Sequence, residues 1–150
     1  MKEWSDNVKS ECLELLFGKK LGHGISREVY VLKTDPTLVI KVENDSGRFQ
    51  NIMEWQTWAD LMGNDVRKYL APCKWISAGG IAIIMARTTP LEKKRLPKQM
   101  PAFLGDFKPE NYGLLNGRVV CHDYGTNLAI LNTTTKLRKA NWRDLDGPAQ

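Results

Sequence analysis

The chain has 150 residues, of which 42% are hydrophobic and 26% charged, and its formal net charge is +5. This predicts one modest globular domain, and no apolar run reaches the roughly 20 residues needed to span a bilayer, nor does the polar N-terminus predict a signal peptide. The three cysteines are far apart and the two histidines add no ligand spacing, so we expect a reducing cytoplasm and neither a zinc site nor a disulfide framework.

The first half of the chain predicts a short helix and then an antiparallel sheet. Residues 5–17 form an amphipathic pattern that Ser5 or Asp6 can cap and Gly18 can end. Five further runs predict strands at 19–24, 27–33, 37–43, 73–77 and 81–86, interrupted by a second helix over roughly 47–62 that stops at Gly63. The apolar face of the first helix is expected to pack against the rest of the domain, through Val8, Cys12, Leu15 and Leu16.

The second half of the chain predicts loops and one hairpin. Only 18 residues separate Arg87 from Asp106, and three of them are prolines, so no long helix fits between them. Asn116-Gly117 supplies both positive-φ positions of a type I′ turn, which predicts a hairpin of 114–115 with 118–121. The tail from Thr126 shows little periodicity.

Two features of the predicted sheet are typical of a nucleotide site. The stretch LGHGISREVY (21–30) is glycine-rich, and glycines let backbone amides approach phosphate oxygens, although a plain turn also accounts for them. Lys41 lies in the apolar run VIK, where it either faces water or holds a cation over phosphates. Glu54 in the second helix can pair with Lys41; Asp60 and Glu43 are the alternatives.

The polar residues around the hairpin are typical of phosphoryl transfer. Asp106, Lys108 and Asn111 follow the spacing D-x-K-x-x-N, and Asp123 begins the triplet DYG after the second hairpin strand. Such a set can supply a carboxylate base, a cation beside the transferred phosphate and oxygen ligands for magnesium. Because the hairpin reverses the chain, Asn111 and Asp123 are expected to reach one metal cluster.

Taken in order, these features resemble the protein kinase family over roughly residues 18–126. LGHGISREV is similar to the glycine-rich loop, VIK to the end of V-A-I-K, GDFKPEN to the catalytic loop and DYG to D-F-G. The resemblance implies an α+β, protein-kinase-like fold: a small antiparallel sheet with a crossing helix as N-lobe, and a minimal C-lobe with catalytic loop and β-hairpin. It implies one domain over 1–150, with an N-terminal helix at 1–17, an N-lobe at 18–87 and a reduced C-lobe at 88–150.

The resemblance also implies ATP and Mg²⁺ as cofactors and gives each motif residue a role. The catalytic residues would be Asp106 as the base, with Lys108, Lys41 and Glu54. The metal ligands would be Asn111 and Asp123. The residues expected to bind the nucleotide are Gly22, Gly24, Ser26, Val29, Lys41 and Met85.

Several positions depart from the family pattern. Arg27 replaces the third glycine, so the turn has a bulkier, cationic tip that we expect near phosphate. Val39 narrows the adenine pocket, and Gly113 stands where an apolar side chain often forms its floor. Leu104-Gly105 replaces His-Arg before the catalytic aspartate, which removes a brace for the loop. The chain is also too short for the supporting helix and the helical lobe.

Three functions are consistent with these motifs. The first is an ATP/Mg²⁺-dependent phosphotransferase resembling a serine/threonine protein kinase. The alternative is a nucleotide-binding pseudokinase that acts as a binding or inhibitory module on a partner protein. The third is a small-molecule kinase of the aminoglycoside or choline type, which Lys108 disfavours, because that branch usually lacks this lysine.

The positive charge is concentrated in two segments, RTTPLEKKRLPK (87–98) and KLRKANWR (136–143). They are interpreted either as solvated faces or as a patch for an acidic partner. No aromatic interleaving or nucleic-acid motif accompanies them, so nucleic acid is not an expected partner, and neither is a membrane. A protein substrate or partner is expected, and oligomerisation stays open.

Overall fold

The computed structural model describes residues 5–24, 26–44, 49–125 and 136–143. The fold is mixed α and β, with an antiparallel sheet and two helices. Contacts divide the chain into two compact units, one of residues 1–51 and 73–87, the other of 52–72 and 88–150. The division at residue 87 that we expected from the sequence stays a prediction.

The N-terminal helix α1 spans Asp6–Glu14 and is exposed along its whole length. Ser5 caps it, as predicted, accepting a hydrogen bond from the Val8 amide at 3.4 Å. None of its residues is buried, so the expectation that its apolar face packs is wrong. A helical period identifies an apolar face but says nothing about what covers it, and here α1 ends before Leu15 and Leu16 are reached.

The first unit is built on a five-stranded antiparallel sheet. Its strands are β1 Phe17–His23, β2 Arg27–Leu32, β3 Leu38–Glu43, β4 Cys73–Ile76 and β5 Ala82–Ala86, in the order β1-β2-β3-β5-β4. Directly paired residues of antiparallel strands point to the same face, so Val31, Val39 and Met85 form one row across β2, β3 and β5. All three are buried, which makes this face the core side of the sheet.

Helix α2 spans Gln50–Asp60 and is followed by Gly63 in the left-handed region, with φ +78°. Its first two residues group with the first unit and the rest with the second. The helix predicted for 47–62 is therefore present, although residues 45–48 lie outside the described part of the chain. Asn51 in the first turn is fully buried, and its side-chain amide donates to the carbonyls of Lys41 (3.2 Å) and Ile81 (2.8 Å).

The second unit consists mainly of loops, short 3-10 turns and two small ladders. The turns are Asp65–Tyr69, Lys93–Arg95 and Pro109–Asn111. Strand β6 (Gln99–Pro101) pairs with β9 (Leu137–Lys139), and β7 (Tyr112–Leu115) pairs with β8 (Arg118–Cys121). The core of this unit is apolar and aromatic: Leu61, Leu70, Met100, Leu104, Phe107, Tyr112 and Tyr124.

The predicted hairpin is present, with φ +50° at Asn116 and +76° at Gly117. In contrast, β9 was not anticipated, because the sequence gives this three-residue strand no period of its own. Residues 126–135 of the predicted aperiodic tail lie outside the described part. No helix among the described residues is long and apolar enough to cross a membrane.

Candidate functional site

Lys41 lies in the middle of the buried face of the first unit. The strand register places Gly22, Val29, Lys41 and Ile83 in one row across β1, β2, β3 and β5. Lys41 is only 4% exposed, so the interpretation of a lysine on the wet face of the strand is wrong. A buried ammonium is costly unless partner groups compensate it, which makes this position unusual for a structural strand residue.

The glycine-rich turn connects β1 and β2 beside this row. The Gly24 amide donates to the Arg27 carbonyl at 2.8 Å, which closes the turn. A Cβ atom on Gly22 would meet nothing within 4 Å. Packing in the described structure therefore does not require glycine at this position. Ser26 is buried, and its carbonyl accepts from the Asn44 amide at 2.9 Å.

Arg27 does not lie at the tip of the turn, contrary to expectation. Its side chain is buried, and Nη1 donates to Oδ1 of Asn51 at 3.1 Å. The backbone amide of Asn51 in turn donates to Oε1 of Glu43 at 2.6 Å. Arg27 and Asn51 thus form a buried polar network within the first unit. Asn51 was not predicted from the sequence, because an asparagine in the first turn of a helix is usually exposed.

Glu54 is fully buried in the second unit, where Oε1 accepts a hydrogen bond from the Tyr124 amide at 3.2 Å. The two alternative partners for Lys41 make other hydrogen bonds: Glu43 accepts from the backbone amide of Asn51, and Asp60 accepts from the Gln56 side chain at 2.7 Å. A pairing of Glu54 with Lys41 stays a prediction.

Asp106 accepts hydrogen bonds on both carboxylate oxygens. Oδ2 accepts from the side-chain amide of Asn111 at 3.2 Å, which brings together two residues of the predicted D-x-K-x-x-N motif. Oδ1 accepts from Nη2 of Arg143 at 2.8 Å. Lys108 is exposed, and its carbonyl accepts from the Asn111 amide at 3.0 Å, closing the turn that carries the motif. The partly exposed Asp106 is thereby oriented while still accessible to solvent.

Asn111 and Asp123 flank the same end of the hairpin. Tyr112 pairs with Cys121, and the His122 amide extends the ladder by donating to the Asn111 carbonyl at 2.9 Å. With Nδ2 of Asn111 turned to Asp106, the amide Oδ1 is the atom of this side chain suited to a cation. Amide and carboxylate oxygens are the ligands that Mg²⁺ prefers.

The protein ligand set for a metal at this place is small. Among the described residues, no group of three or more histidines, cysteines, aspartates and glutamates could hold a metal ion. One carboxylate and one amide fit Mg²⁺, because this ion keeps several waters and is usually bound through one or two protein ligands together with substrate phosphates.

His122 fixes the hairpin through both ring nitrogens. Nε2 lies 2.6 Å from the Glu110 carbonyl oxygen, which can only accept, so Nε2 carries the proton. In the neutral ring, Nδ1 then accepts from the Thr88 hydroxyl at 2.8 Å. The segment before Asn111 and the strand leading to Asp123 are thus connected by this one side chain.

The departure at Gly113 has a packing cause. A Cβ atom there would lie 2.3 Å from Oγ1 of Thr88 and 2.8 Å from the Thr89 carbonyl oxygen. The segment 88–89 approaches the hairpin this closely because Thr89 and Leu114 exchange backbone hydrogen bonds of 3.0 and 2.8 Å. Any larger residue would push the two segments apart. Val39, the other residue expected to shape an adenine pocket, is buried in the sheet.

The sequence analysis did not predict that three residues of the basic segment 136–143 contact the residues around Asp106. Arg138 donates from Nη2 to the Leu104 carbonyl at 2.9 Å, Trp142 packs on Phe107, and Arg143 reaches Asp106. The sequence offered one signal, a tryptophan within a basic run, but no periodicity to connect it with the loop around Asp106.

No protein-family model and no curated protein matches the chain. Six chains of solved structures match. One of them is the aminoglycoside phosphotransferase APH(2'')-IIa, in its ternary complex with streptomycin and ATP, at 15% sequence identity and a TM-score of 0.42. The match covers 61% of this chain and 31% of that enzyme, so this chain spans less than a third of the enzyme's length.

Proposed function

We propose that the protein is an ATP- and Mg²⁺-dependent phosphotransferase with a minimal protein-kinase-like architecture. The observation that carries the proposal is the arrangement at the hairpin. The Asp106 carboxylate accepts a hydrogen bond from the side-chain amide of Asn111 at 3.2 Å. Asp123 follows the opposite strand at the same end of the hairpin. Phosphoryl transfer depends on placing a base and metal-binding oxygens next to each other, rather than on many protein groups.

The residues of the second unit divide the chemistry among them. Asp106 accepts the proton of the acceptor hydroxyl as the hydroxyl oxygen attacks the γ-phosphorus of ATP, whose bond to the bridging oxygen breaks so that ADP leaves. The exposed Lys108 neutralises negative charge on the transferred group. Asn111 and Asp123 would hold Mg²⁺, which when bound neutralises charge on the nucleotide phosphates. Glu54 holds the Tyr124 amide and so steadies the residue that follows Asp123.

The nucleotide is assigned to the first unit. Lys41 supplies a cation for the phosphates, and the backbone around Gly22 and Gly24 is open enough for them to approach. Val29 lies in the same row as Lys41, and Met85 lies on the same buried face. Ser26 completes the proposed set.

The proposed acceptor is a serine or threonine hydroxyl of a protein, because Lys108 stands two residues after the base, as in the serine/threonine branch of the family that the sequence resembles. The test is transfer of labelled phosphate from ATP to candidate proteins, with aminoglycosides and choline as the competing acceptor class. Transfer to the small molecules alone would replace the acceptor class and keep the reaction type.

Magnesium-dependent ATP binding is the first measurement for this function. We expect calorimetry to show ATP binding that requires Mg²⁺, and Asp123→Asn to weaken it by roughly tenfold or more, equivalent to about 1.4 kcal/mol. Asp60→Asn is the matched control, since it makes the same chemical change at an exposed aspartate of the same unit. Equal binding by both variants, with and without Mg²⁺, would exclude the metal role of Asp123.

A nucleotide-binding pseudokinase is the second candidate, and one observation favours it. Both oxygens of Asp106 accept hydrogen bonds from protein groups, which compete with an acceptor hydroxyl for the carboxylate. In this case the protein would act by binding a partner protein. A partner effect that survives Asp106→Asn would support this function, and loss of the effect in the folded variant would support the phosphotransferase.

A further inference from the structure

The sequence leaves the catalytic loop without its usual support. Leu104-Gly105 precedes Asp106, and too few residues are present for a long supporting helix. The described structure shows instead that the C-terminal segment, residues 136–143, lies along this loop. Both belong to the same compact unit.

The backbone of the C-terminal segment is fixed at several points. Strand β9 pairs with β6, and this pairing is extended by hydrogen bonds from Ala102 to the Lys136 carbonyl and from Ala140 to the Lys98 carbonyl, each 2.9 Å. Further along, the Arg143 amide donates to the Phe107 carbonyl at 3.0 Å. The segment therefore ends next to the residue that follows Asp106.

Two side chains of the segment hold the residues around Asp106. The Trp142 ring meets the rings of Phe107 and Tyr112 edge-on, with centroids 5.4 and 4.9 Å away, and Nε1 donates to the Pro97 carbonyl at 2.8 Å. Arg138 donates to the Leu104 carbonyl and lies 5.7 Å from the centre of the Phe107 ring. The loop is thus held two residues before Asp106 and one residue after it.

Arg143 reaches the carboxylate itself. Nη2 lies 2.8 Å from Oδ1 of Asp106, and the two side chains are 59% and 44% exposed. An ion pair this exposed contributes little to stability, because solvent screens it. A charge-assisted hydrogen bond nevertheless has a preferred direction. Since Arg143 takes Oδ1 and Asn111 takes Oδ2, the two together set the plane of the carboxylate.

We propose that Arg143 is a positioning residue for Asp106, and that the C-terminal segment replaces in cis the support that the missing helix would give. The inference rests on the proposed phosphotransferase function for its consequence in catalysis. Its geometric part concerns the Asp106 carboxylate alone. The opposite role for the same contact is a block, in which Arg143 withholds Asp106 from substrate.

The kinetic test compares substitutions at Arg143 in the full chain. We expect Arg143→Gln to lower kcat roughly 10- to 100-fold, because a misplaced catalytic group is costly, and to leave KM for ATP unchanged. Arg143→Lys should recover part of the loss, and millimolar guanidinium should partly rescue Arg143→Ala. Lys139→Gln is the control, because it removes an exposed cation from the same segment. A kcat for Arg143→Gln equal to or above wild type would overturn the proposal.

An NMR readout separates this inference from the proposed function. The side-chain amide of Asn111 donates to Asp106, so its ¹H–¹⁵N resonances report where the carboxylate lies. We expect Arg143→Gln to shift them and Lys139→Gln to leave them unchanged, whether or not wild type transfers phosphate. Unchanged resonances in Arg143→Gln would exclude the positioning role. Absence of transfer by wild type, with the shift present, would exclude the phosphotransferase and retain the positioning.

Hydrogen exchange tests the supporting role of the whole segment. We expect amides 104–112 to exchange at least about tenfold faster in Trp142→Phe and Trp142→Ala, because both lose the indole hydrogen bond to Pro97. Trp142→Phe keeps an aromatic ring and guards against loss of the fold. Exchange at the wild-type rate in both variants would show that the segment does not support the loop.

Discussion

Residues of the same type lie in different environments at different positions of this chain, as two glycines and two lysines show. Gly113 is required by packing, because a Cβ atom would overlap Thr88, whereas a Cβ atom on Gly22 would meet nothing. Lys41 and Lys108 differ likewise, since one is buried in the sheet and the other is exposed. A glycine that packing does not require lies in the same row as this buried lysine, two strands away, and we propose a ligand for this combination.

Gly22→Ala tests that combination. The added methyl group fits the folded protein, so we expect the unfolding temperature to stay within about 2 °C of wild type. In the proposed nucleotide site the methyl group would stand where phosphate approaches the backbone, so ATP binding should weaken roughly tenfold, or by about 1.4 kcal/mol. Gly79→Ala is the control, because that glycine also has nothing within 4 Å but lies in the turn between β4 and β5. Equal affinity in both variants would make Gly22 an ordinary turn residue.

At the scale of elements, the sequence predicted what local chemistry determines. The five strands, the second helix and the Asn-Gly hairpin follow from alternation and turn residues, and all are present. Where tertiary contacts decide, one expectation from the sequence was wrong and the pairing of β6 with β9 was missed. The apolar face of α1 has no cover in the described structure, and β9 exists only because β6 pairs with it. For the same reason, the motifs placed Asp106 and Asn111 together but gave no sign of Arg143.

The hairpin between β7 and β8 carries the proposed metal ligands at its open end, so its turn can be tested as an element. We expect Gly117→Ala to lower the free energy of unfolding by roughly 1 kcal/mol, because φ there is +76° and only glycine adopts it without cost. Asn116→Gly should change it by less than about 0.5 kcal/mol, because glycine also satisfies positive φ. Urea denaturation of the two variants checks this, and equal midpoints would contradict the type I′ assignment.

At the scale of the whole molecule, the positive charge is used in two ways. The pairing of β6 with β9 brings the two basic segments side by side, with the Ala140 amide bonded to the Lys98 carbonyl. Arg138 and Arg143 then donate to the loop around Asp106, while other cations stay exposed: Lys93, Lys94, Lys98, Lys136 and Lys139. Both interpretations of the basic segments are therefore incomplete. The exposed lysines of the first segment, Lys93, Lys94 and Lys98, are the surface that we propose for an acidic protein partner.

Stability of the whole chain should fall at alkaline pH through Tyr112. Burial, and secondly the neighbouring Cys121, raise the pKa of the Tyr112 hydroxyl well above its ordinary value. Because the pKa of Tyr112 is raised in the folded state, its full contribution to the free energy of unfolding is present below the unfolded-state pKa of about 10. This contribution is lost as the pH rises above that value. Above that pH the unfolded chain loses a proton that the folded chain keeps, so the free energy of unfolding should fall by up to about 1.4 kcal/mol per pH unit.

Tyr112→Phe isolates this effect. We expect urea denaturation at pH 8 to 11 to show that, above pH about 10, the free energy of unfolding falls less steeply with pH for the variant than for wild type. Below that pH the two curves should be parallel. A residual slope is expected in the variant, because a hydrogen bond to Glu28 also raises the pKa of Tyr30. Identical slopes in the two proteins would mean that Tyr112 ionises as readily in the folded state as in the unfolded one. The aromatic packing of Phe107, Tyr112 and Trp142, on which the proposed support of the loop around Asp106 depends, would then be open to water.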